Sequence, residues 1–419
     1  VRDRRRRARV AALVLAALAG GALPVAAADA AADAETLALL PHLADEVMVR
    51  WEVPGMALAV VRRDAVVFEG GFGVVERGSD VPVTAATVFA VGSVTKGFTA
   101  LTVAMLDREE RLELDRPVRD VLPGLGLQDR HAGAAVTPRD LLAHRTGLPR
   151  HDMVWYGSEL TRAELMAVLP ELEPAAGLRQ RFLYNNLMYV VAAEAVGAAA
   201  GRPWEEFLAA RLLVPLGMTR TTVGAPPPGS EVATPHRVTR DGEVRRVAAS
   251  EGRVVAPAAG LYSTAADLGR WLRMMLGRGR LGETPVADER AVAEVLAPQV
   301  VVPGLGPAEI PLTTYGLGWF VTVYRGHLMA WHGGSIDGYQ AYVALLPYDD
   351  LGVVVLTNRA SHQVPEVVTR WVFDRFLGLH EINWFAALRA EDRRLQDFRH
   401  DAELARQTRL ATGDPATLA

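Results

Sequence analysis

The sequence predicts an α+β fold: a central antiparallel sheet flanked by N- and C-terminal helices, with a large, mostly helical insertion over about 93–296. Three observations carry this. Apolar runs of strand length cluster near the two ends of the chain, at 56–68 and 315–356. Between them the apolar spacing is helical and is punctuated by helix-start signals. Within each end cluster, neighbouring runs are separated by short polar turns, the connection of adjacent antiparallel strands.

The elements follow in order. Leu39, Leu43 and Val47 recur at helical spacing and predict a helix over about 35–51, ended by Pro54-Gly55. Runs at 56–61 and 65–68, separated by Arg62-Arg63-Asp64, read as a β-hairpin, with a bend expected at Gly70-Gly71. A buried helix is expected over 94–106. Thr137 and Thr161 each precede a carboxylate by three positions (Asp140, Glu164), the spacing of a capping box, and open two further helices. An apolar helix over 187–200 should stop at Gly201, and Pro203 should start another that runs to about Leu213. Thr264 and Asp267 open a helix through Leu276, whereas 224–252, with three consecutive prolines, reads as loop or short strands. Strands are expected at 315–324, 327–331, 339–346 and 352–356, with the turn Pro347-Tyr-Asp-Asp350 joining the last two. A final amphipathic helix is expected over 364–377, followed by a polar tail, 381–419.

Residues 1–28 have a different character. Six arginines precede the apolar run that begins at Val10, and Ala26-Ala27-Ala28 follows. That is the layout of a secretory signal peptide, and it places the remaining chain in a periplasm or outside the cell. An uncleaved anchor is the alternative, although the run is short for a membrane span. Without the leader the chain keeps 39 basic and 48 acidic residues, a balance that disfavours nucleic acid and anionic membranes as partners. The chain contains no cysteine, which excludes disulfides, thiolate catalysis and cysteine-ligated zinc. No zinc-ligand spacing such as His-Glu-x-x-His occurs among the ten histidines.

One residue breaks the composition. Of 45 basic residues, 44 are arginine, and the exception is Lys96 in the stretch GSVTKGFTA. A guanidinium cannot lose its proton in a protein, whereas a buried ammonium can become a neutral base. Ser93 lies one turn earlier on the same helix face, so the amine can take the hydroxyl proton and make Ser93 a nucleophile. Ser93 alone also suits an ordinary helix N-cap. Tyr184 and Asn186 sit just before the helix at 187: a tyrosine facing an ammonium ionises more easily, and the Asn186 amide can bind a substrate carbonyl. His332-Gly333-Gly334-Ser335 is expected to close a strand, its glycines letting a substrate backbone come close. Trp155 and Tyr156, after Pro149, are candidates to line a pocket.

Together these stretches resemble the penicillin-recognising serine hydrolases, in the branch that holds class C β-lactamases, D,D-carboxypeptidases, D-aminopeptidases and β-lactamase-like esterases. The resemblance covers roughly 35–380. Ser93-Val-Thr-Lys96 is similar to that family's Ser-x-x-Lys, Tyr184-Asn-Asn186 to its Tyr-x-Asn, and His332-Gly-Gly334 to its third motif. The stretches 141–149 and 260–268 are also similar. The resemblance implies a hydrolase domain over 29–380 and two-step acyl transfer through Ser93, with Lys96 and Tyr184 moving the proton. It further implies an oxyanion site formed by the Ser93 and Ser335 N–H groups, and a β-lactam, D-amino-acid peptide or small ester as substrate. β-Lactamases usually carry lysine where this chain has His332. A partly charged His332 would hold a substrate carboxylate less firmly, which favours the esterase and D-aminopeptidase side. The small C-terminal β-barrel of many relatives is not expected before the chain's end. The acyl transfer that the resemblance implies needs neither a metal nor an organic cofactor. Two other classes compete. An α/β-hydrolase needs Gly-x-Ser-x-Gly, and no serine here has it. A penicillin-binding sensor or scaffold would be acylated without turnover.

Overall fold

The apolar runs from the two ends of the chain meet in one sheet. The computed structural model describes residues 25–239, 241–248, 253–304, 307–360 and 362–389. In chain order, the elements used below start with helix α1 (Val25–Arg50) and strands β1 (Gly55–Arg62) and β2 (Ala65–Gly73). Helices α2 (Thr95–Arg108), α3 (Pro138–Leu142), α4 (Leu187–Ala200), α5 (Ala265–Leu276) and α6 (Glu289–Leu296) follow. Then come strands β3 (Val300–Val301), β4 (Thr313–Tyr315), β5 (Phe320–Tyr324), β6 (His327–Ile336), β7 (Tyr339–Leu346) and β8 (Leu351–Thr357), and helix α7 (Val364–Phe376).

The strand order is β3-β4-β5-β6-β7-β8-β1-β2, with every neighbour antiparallel. The join of the two chain ends is β1 against β8, where Met56 faces Thr357. Asn358 secures it by accepting the Gly55 N–H at 2.7 Å, across 303 residues of sequence. Central strands are buried on both faces, which is why they read as continuous apolar runs. Met56, Leu58, Val60, Val353 and Val355 face the core under α1 and α7, whereas Ala57, Ala59, Val354 and Leu356 face the core shared with α2, α4 and α5. Each fully buried Val or Leu contributes about 1.5–3 kcal/mol before the entropy of ordering is counted.

Both capping boxes form, at Thr137/Asp140 and Thr161/Glu164. Thr264 caps α5 through the Asp267 N–H, but the Asp267 carboxylate turns away to the Thr221 hydroxyl and Arg220 N–H. Gly201 ends α4 at φ 68°, the left-handed conformation a glycine adopts without strain. The helix after Pro203 runs on through a π turn at Ala209–Leu213 to Leu216.

Several expectations are corrected. The first helix begins at Val25, earlier than 35. Gly70-Gly71 does not bend the chain: β2 is continuous, and Gly71 is required because a Cβ there would lie 2.2 Å from the Val83 carbonyl oxygen. The irregularity in this hairpin is instead a register shift at Val60/Val61. The run 315–324 is not one strand but the hairpin β4–β5. Gly318, at φ 77°, sits so close to α2 that a Cβ would come 2.5 Å from the Lys96 carbonyl oxygen, and the chain reverses there. His332-Gly-Gly does not close a strand, because β6 continues through it to Ile336. The expected leader lies largely outside the described residues, as does the tail from 390. The packed body extends past 380, since Trp384 and Leu388 are buried and the Trp384 indole donates to Asp374 at 2.7 Å. Among the described residues no helix is long and apolar enough to cross a membrane.

Candidate active site

The first motif stands where α2 meets the edge of β6. Gly92, at φ 52°, turns the chain into a short 3-10 turn (Gly92–Val94) that leads straight into α2. Thr95 locks the turn: its hydroxyl donates to Gly92 O at 2.7 Å and accepts the Leu261 N–H at 3.1 Å. Ser93 makes no side-chain cap, so its hydroxyl is left to the residues around it.

Lys96, one turn on, is 0 % exposed. Its Nζ lies 2.7 Å from Asn186 Oδ1, 3.0 Å from Ala258 O and 3.1 Å from Ser93 Oγ. Two of these neighbours are carbonyl oxygens, which only accept, and the third is a hydroxyl, which can donate. An ammonium donates to all three, and a neutral amine, with two N–H donors and one lone pair, satisfies the same set once Ser93 donates. Burial pushes the lysine well below its ordinary pKa, Arg150 pushes it further, and Asp152 opposes them. An arginine could not fill this position, because it has no lone pair to offer.

The second motif is carried on the loop before α4, and the stretch 141–149 holds it there. His144, buried at φ 57°, accepts the Asn185 N–H on Nδ1 at 3.1 Å, and its carbonyl accepts the Leu183 N–H at 2.8 Å. The His144 ring lies 4.3 Å from that of Tyr184. Burial, with Lys96, His332 and Arg150 nearby, keeps His144 neutral. Burial raises the Tyr184 pKa, and the Ser93 hydroxyl partly offsets this. The relation of Tyr184 to the lysine differs from expectation: Nζ stands over the Tyr184 ring, 4.7 Å from the centroid. Ionisation of Tyr184 is therefore harder, not easier.

Asn186 also holds the lysine. Its Oδ1 accepts from Lys96 and one Nδ2 N–H donates to Asp152 Oδ1 at 3.1 Å, while an amide has a second N–H that can serve a substrate carbonyl. Asp152 gathers Asn186, the Trp155 indole N–H at 2.9 Å and the Arg150 Nε at 2.5 Å. Trp155 is buried, and its indole N–H serves this carboxylate. Tyr156 is half exposed and donates to Asp337 at 3.1 Å; the exposed apolar side chain of this loop is Met153.

In the third motif, His332 is 2 % exposed. Its Nε2 lies 3.0 Å from the Tyr315 hydroxyl and its Nδ1 2.6 Å from Gly333 O. Burial, aided by Lys96, drops its pKa to about 3, so the expectation of partial charge at neutral pH fails. Gly334 makes a close approach, but to the protein and not to a substrate. A Cβ there would lie 2.0 Å from Val91 O and 2.9 Å from Ser93 N, and a Cβ on Gly92 would lie 3.0 Å from Ser335 N. The backbone of β6 is thus pressed against the serine turn, and the exposed Ser335 lies beside it. Asp152, Arg150, His144 and the Ala258 carbonyl were not singled out in the sequence. Only the position of His144 in the 141–149 stretch hinted at a role. Among the described residues no group of His, Asp and Glu side chains could hold a metal ion.

Residues 42–374 match the protein family described as Beta-lactamase. The unguisins hydrolase ungD of Aspergillus violaceofuscus is 29% identical over 345 residues, 75% of this chain and 59% of that protein. Penicillin-binding protein 4 of Amycolatopsis lactamdurans is 30% identical over 319 residues, 75% of this chain and 83% of that protein. The chain thus spans about three fifths of the length of the fungal relative. Among solved structures, the octameric penicillin-binding protein homologue from Pyrococcus abyssi superposes with a TM-score of 0.71 at 25% identity, over 81% of this chain and 77% of that one.

Proposed function

The chain belongs to the beta-lactamase family, and from that premise we propose that it is an exported serine hydrolase that cleaves ester or amide bonds through an acyl-enzyme on Ser93. The carrying observation is a fully buried amine held 3.1 Å from the Ser93 hydroxyl, where burial favours its neutral form. In the first step the Ser93 proton passes to the Lys96 lone pair as Oγ attacks the substrate carbonyl carbon. The C=O electrons move to the oxygen, and the Ser93 and Ser335 N–H groups take up the charge. The proton is then delivered to the leaving group as its bond to the carbonyl breaks, with the neutral Tyr184 as the hydroxyl that relays it. Water repeats the sequence on the acyl-enzyme and frees Ser93.

Within this class we place small esters and D-amino-acid amides ahead of β-lactams. A neutral, buried His332 offers no fixed cation to a substrate carboxylate, which supports that order. The relative named a hydrolase supports turnover, and the relative named a penicillin-binding protein supports acylation by penicillins. Incubating the protein with a fluorescent penicillin and a chromogenic ester separates the outcomes. A burst followed by steady turnover, lost in Ser93→Ala, is expected; a stable label without turnover would make the protein an acylated receptor. Export is tested by terminal sequencing of the secreted protein, which should begin near Asp29.

A further inference from the structure

Lys96 is enclosed by groups from several segments, and their charges can be counted. Ser93 comes from the serine turn, His144 from the stretch after α3, Tyr184 from the loop before α4, Tyr189 from α4 and His332 from β6. Tyr315 on β4 closes the same cluster, 4.9 Å ring to ring from His144. Burial raises all three tyrosines and lowers both histidines, so each of these groups is neutral at neutral pH. Two charged groups remain, Arg150 and Asp152, both on the loop after Pro149.

They reach the lysine by different routes. Asp152 works through the Asn186 amide. A carboxylate only accepts, so it fixes the Nδ2 end of that amide toward itself and leaves Oδ1 facing Nζ at 2.7 Å. Arg150 stands over the Tyr184 ring at 5.1 Å from the centroid, the same ring over which Nζ lies at 4.7 Å. The two residues also hold each other, Nε to Oδ2 at 2.5 Å.

Resting on the reading of Lys96 as the base, we infer that Arg150 and Asp152 are opposed positioning residues for it, Asp152 through the Asn186 amide and Arg150 across the Tyr184 ring. Neither contacts the reacting atoms. Their balance decides at what pH the amine has its lone pair free. The negative charge of Asp152 favours the ammonium and the positive charge of Arg150 favours the free amine, in agreement with the opposite directions in which they move the lysine's pKa. Loss of Asp152's charge therefore frees the lone pair at lower pH, and loss of Arg150's charge at higher pH.

The test is the pH profile of kcat/KM for an uncharged short-chain ester, a substrate that does not itself titrate, with the full chain. The acid limb of that profile reports the free enzyme's base. Asp152→Asn should move it down and Arg150→Met should move it up, each by about one pH unit. Arg150→Lys should return it to the wild-type position. Arg150 is more than half exposed on its side chain, so its variants read out even if Asp152→Asn folds poorly. A fall in plateau rate with unmoved limbs, or limbs that move the same way in both variants, would overturn the inference. Hydrolysis that survives in Ser93→Ala would instead overturn the reading of the site and leave the pair without a base to position.

Discussion

Two adjacent glycines of the third motif should respond oppositely to the same substitution. Gly334 and Gly333 both lie within β6, and neither has a positive φ, so alanine meets no backbone strain at either. Space is what differs. At Gly333 a Cβ would find Tyr342 at 3.6 Å and Ala341 O at 3.9 Å, ordinary contact distances. At Gly334 it would lie 2.0 Å from Val91 O, 3.0 Å from Val91 C and 2.9 Å from Ser93 N, all backbone atoms that no rotamer change can move aside. Relieving that overlap requires β6 and the serine turn to part by about an ångström, at a cost of about 1–3 kcal/mol. The same movement separates the Ser93 and Ser335 N–H groups, and a misplacement of about 1 Å at a catalytic group costs ~100-fold in rate. Steady-state hydrolysis of a chromogenic ester and thermal unfolding should be measured on both variants. Gly334→Ala should lose about two orders of magnitude in kcat with a modest fall in Tm, whereas Gly333→Ala should stay within a few-fold. If Gly334→Ala keeps wild-type kcat, the close approach of β6 to the serine turn is not what builds the site.

Other substitutions probe separate parts of the argument. Lys96→Arg should abolish ester hydrolysis, by at least ~1000-fold, because the guanidinium supplies charge without a lone pair; steady-state assay of the purified variant decides it. His332 and His362 are both buried and held at about 3, below the ordinary histidine value near 6.5, so the unfolded chain binds the extra protons. Their contribution to stability is present above pH ~6.5 and is lost as pH falls toward 3; a Tm series over that window should slope downward, and His362→Gln should flatten it. Asp374 is buried and accepts from the Tyr324 hydroxyl at 2.6 Å, Arg325 at 2.7 Å and the Trp384 indole at 2.7 Å. Asp374→Ala strands these donors in the core under α1 and α7, and chemical denaturation should show a loss of about 3–5 kcal/mol.

The motifs were legible because their chemistry is local. A serine and a lysine three apart on one helix must share a face, whatever the rest of the fold does. The unique lysine among 45 basic residues marked a position where a fixed cation fails, and the structure gives the reason in its three neighbours. Capping boxes are local too, and both formed as read, whereas the run 315–324 split into the hairpin β4–β5. Glycines were harder, because a glycine signals a close approach without saying to what. Gly71 read as a bend and Gly334 as a substrate contact, Gly318 stood unremarked inside an expected strand, and all three lie against another stretch of this chain's own backbone.

Charge state was legible at Lys96 alone. A histidine in the third motif reads as a titrating group until the fold buries it against Tyr315, and Tyr184 reads as an easy acid until its ring, not its hydroxyl, meets the lysine. Desolvation depends on everything that surrounds a group, and those neighbours arrive from distant segments, as Ala258 does at Lys96 from 162 residues away. The same holds for Asp152, an unremarked acid in a loop until tertiary packing sets it against Asn186. The sequence by itself determined which residues can exchange a proton and in what class of fold they stand. Only the tertiary structure decided which of them are charged, because a proton's free energy is set by the medium in which the group is buried.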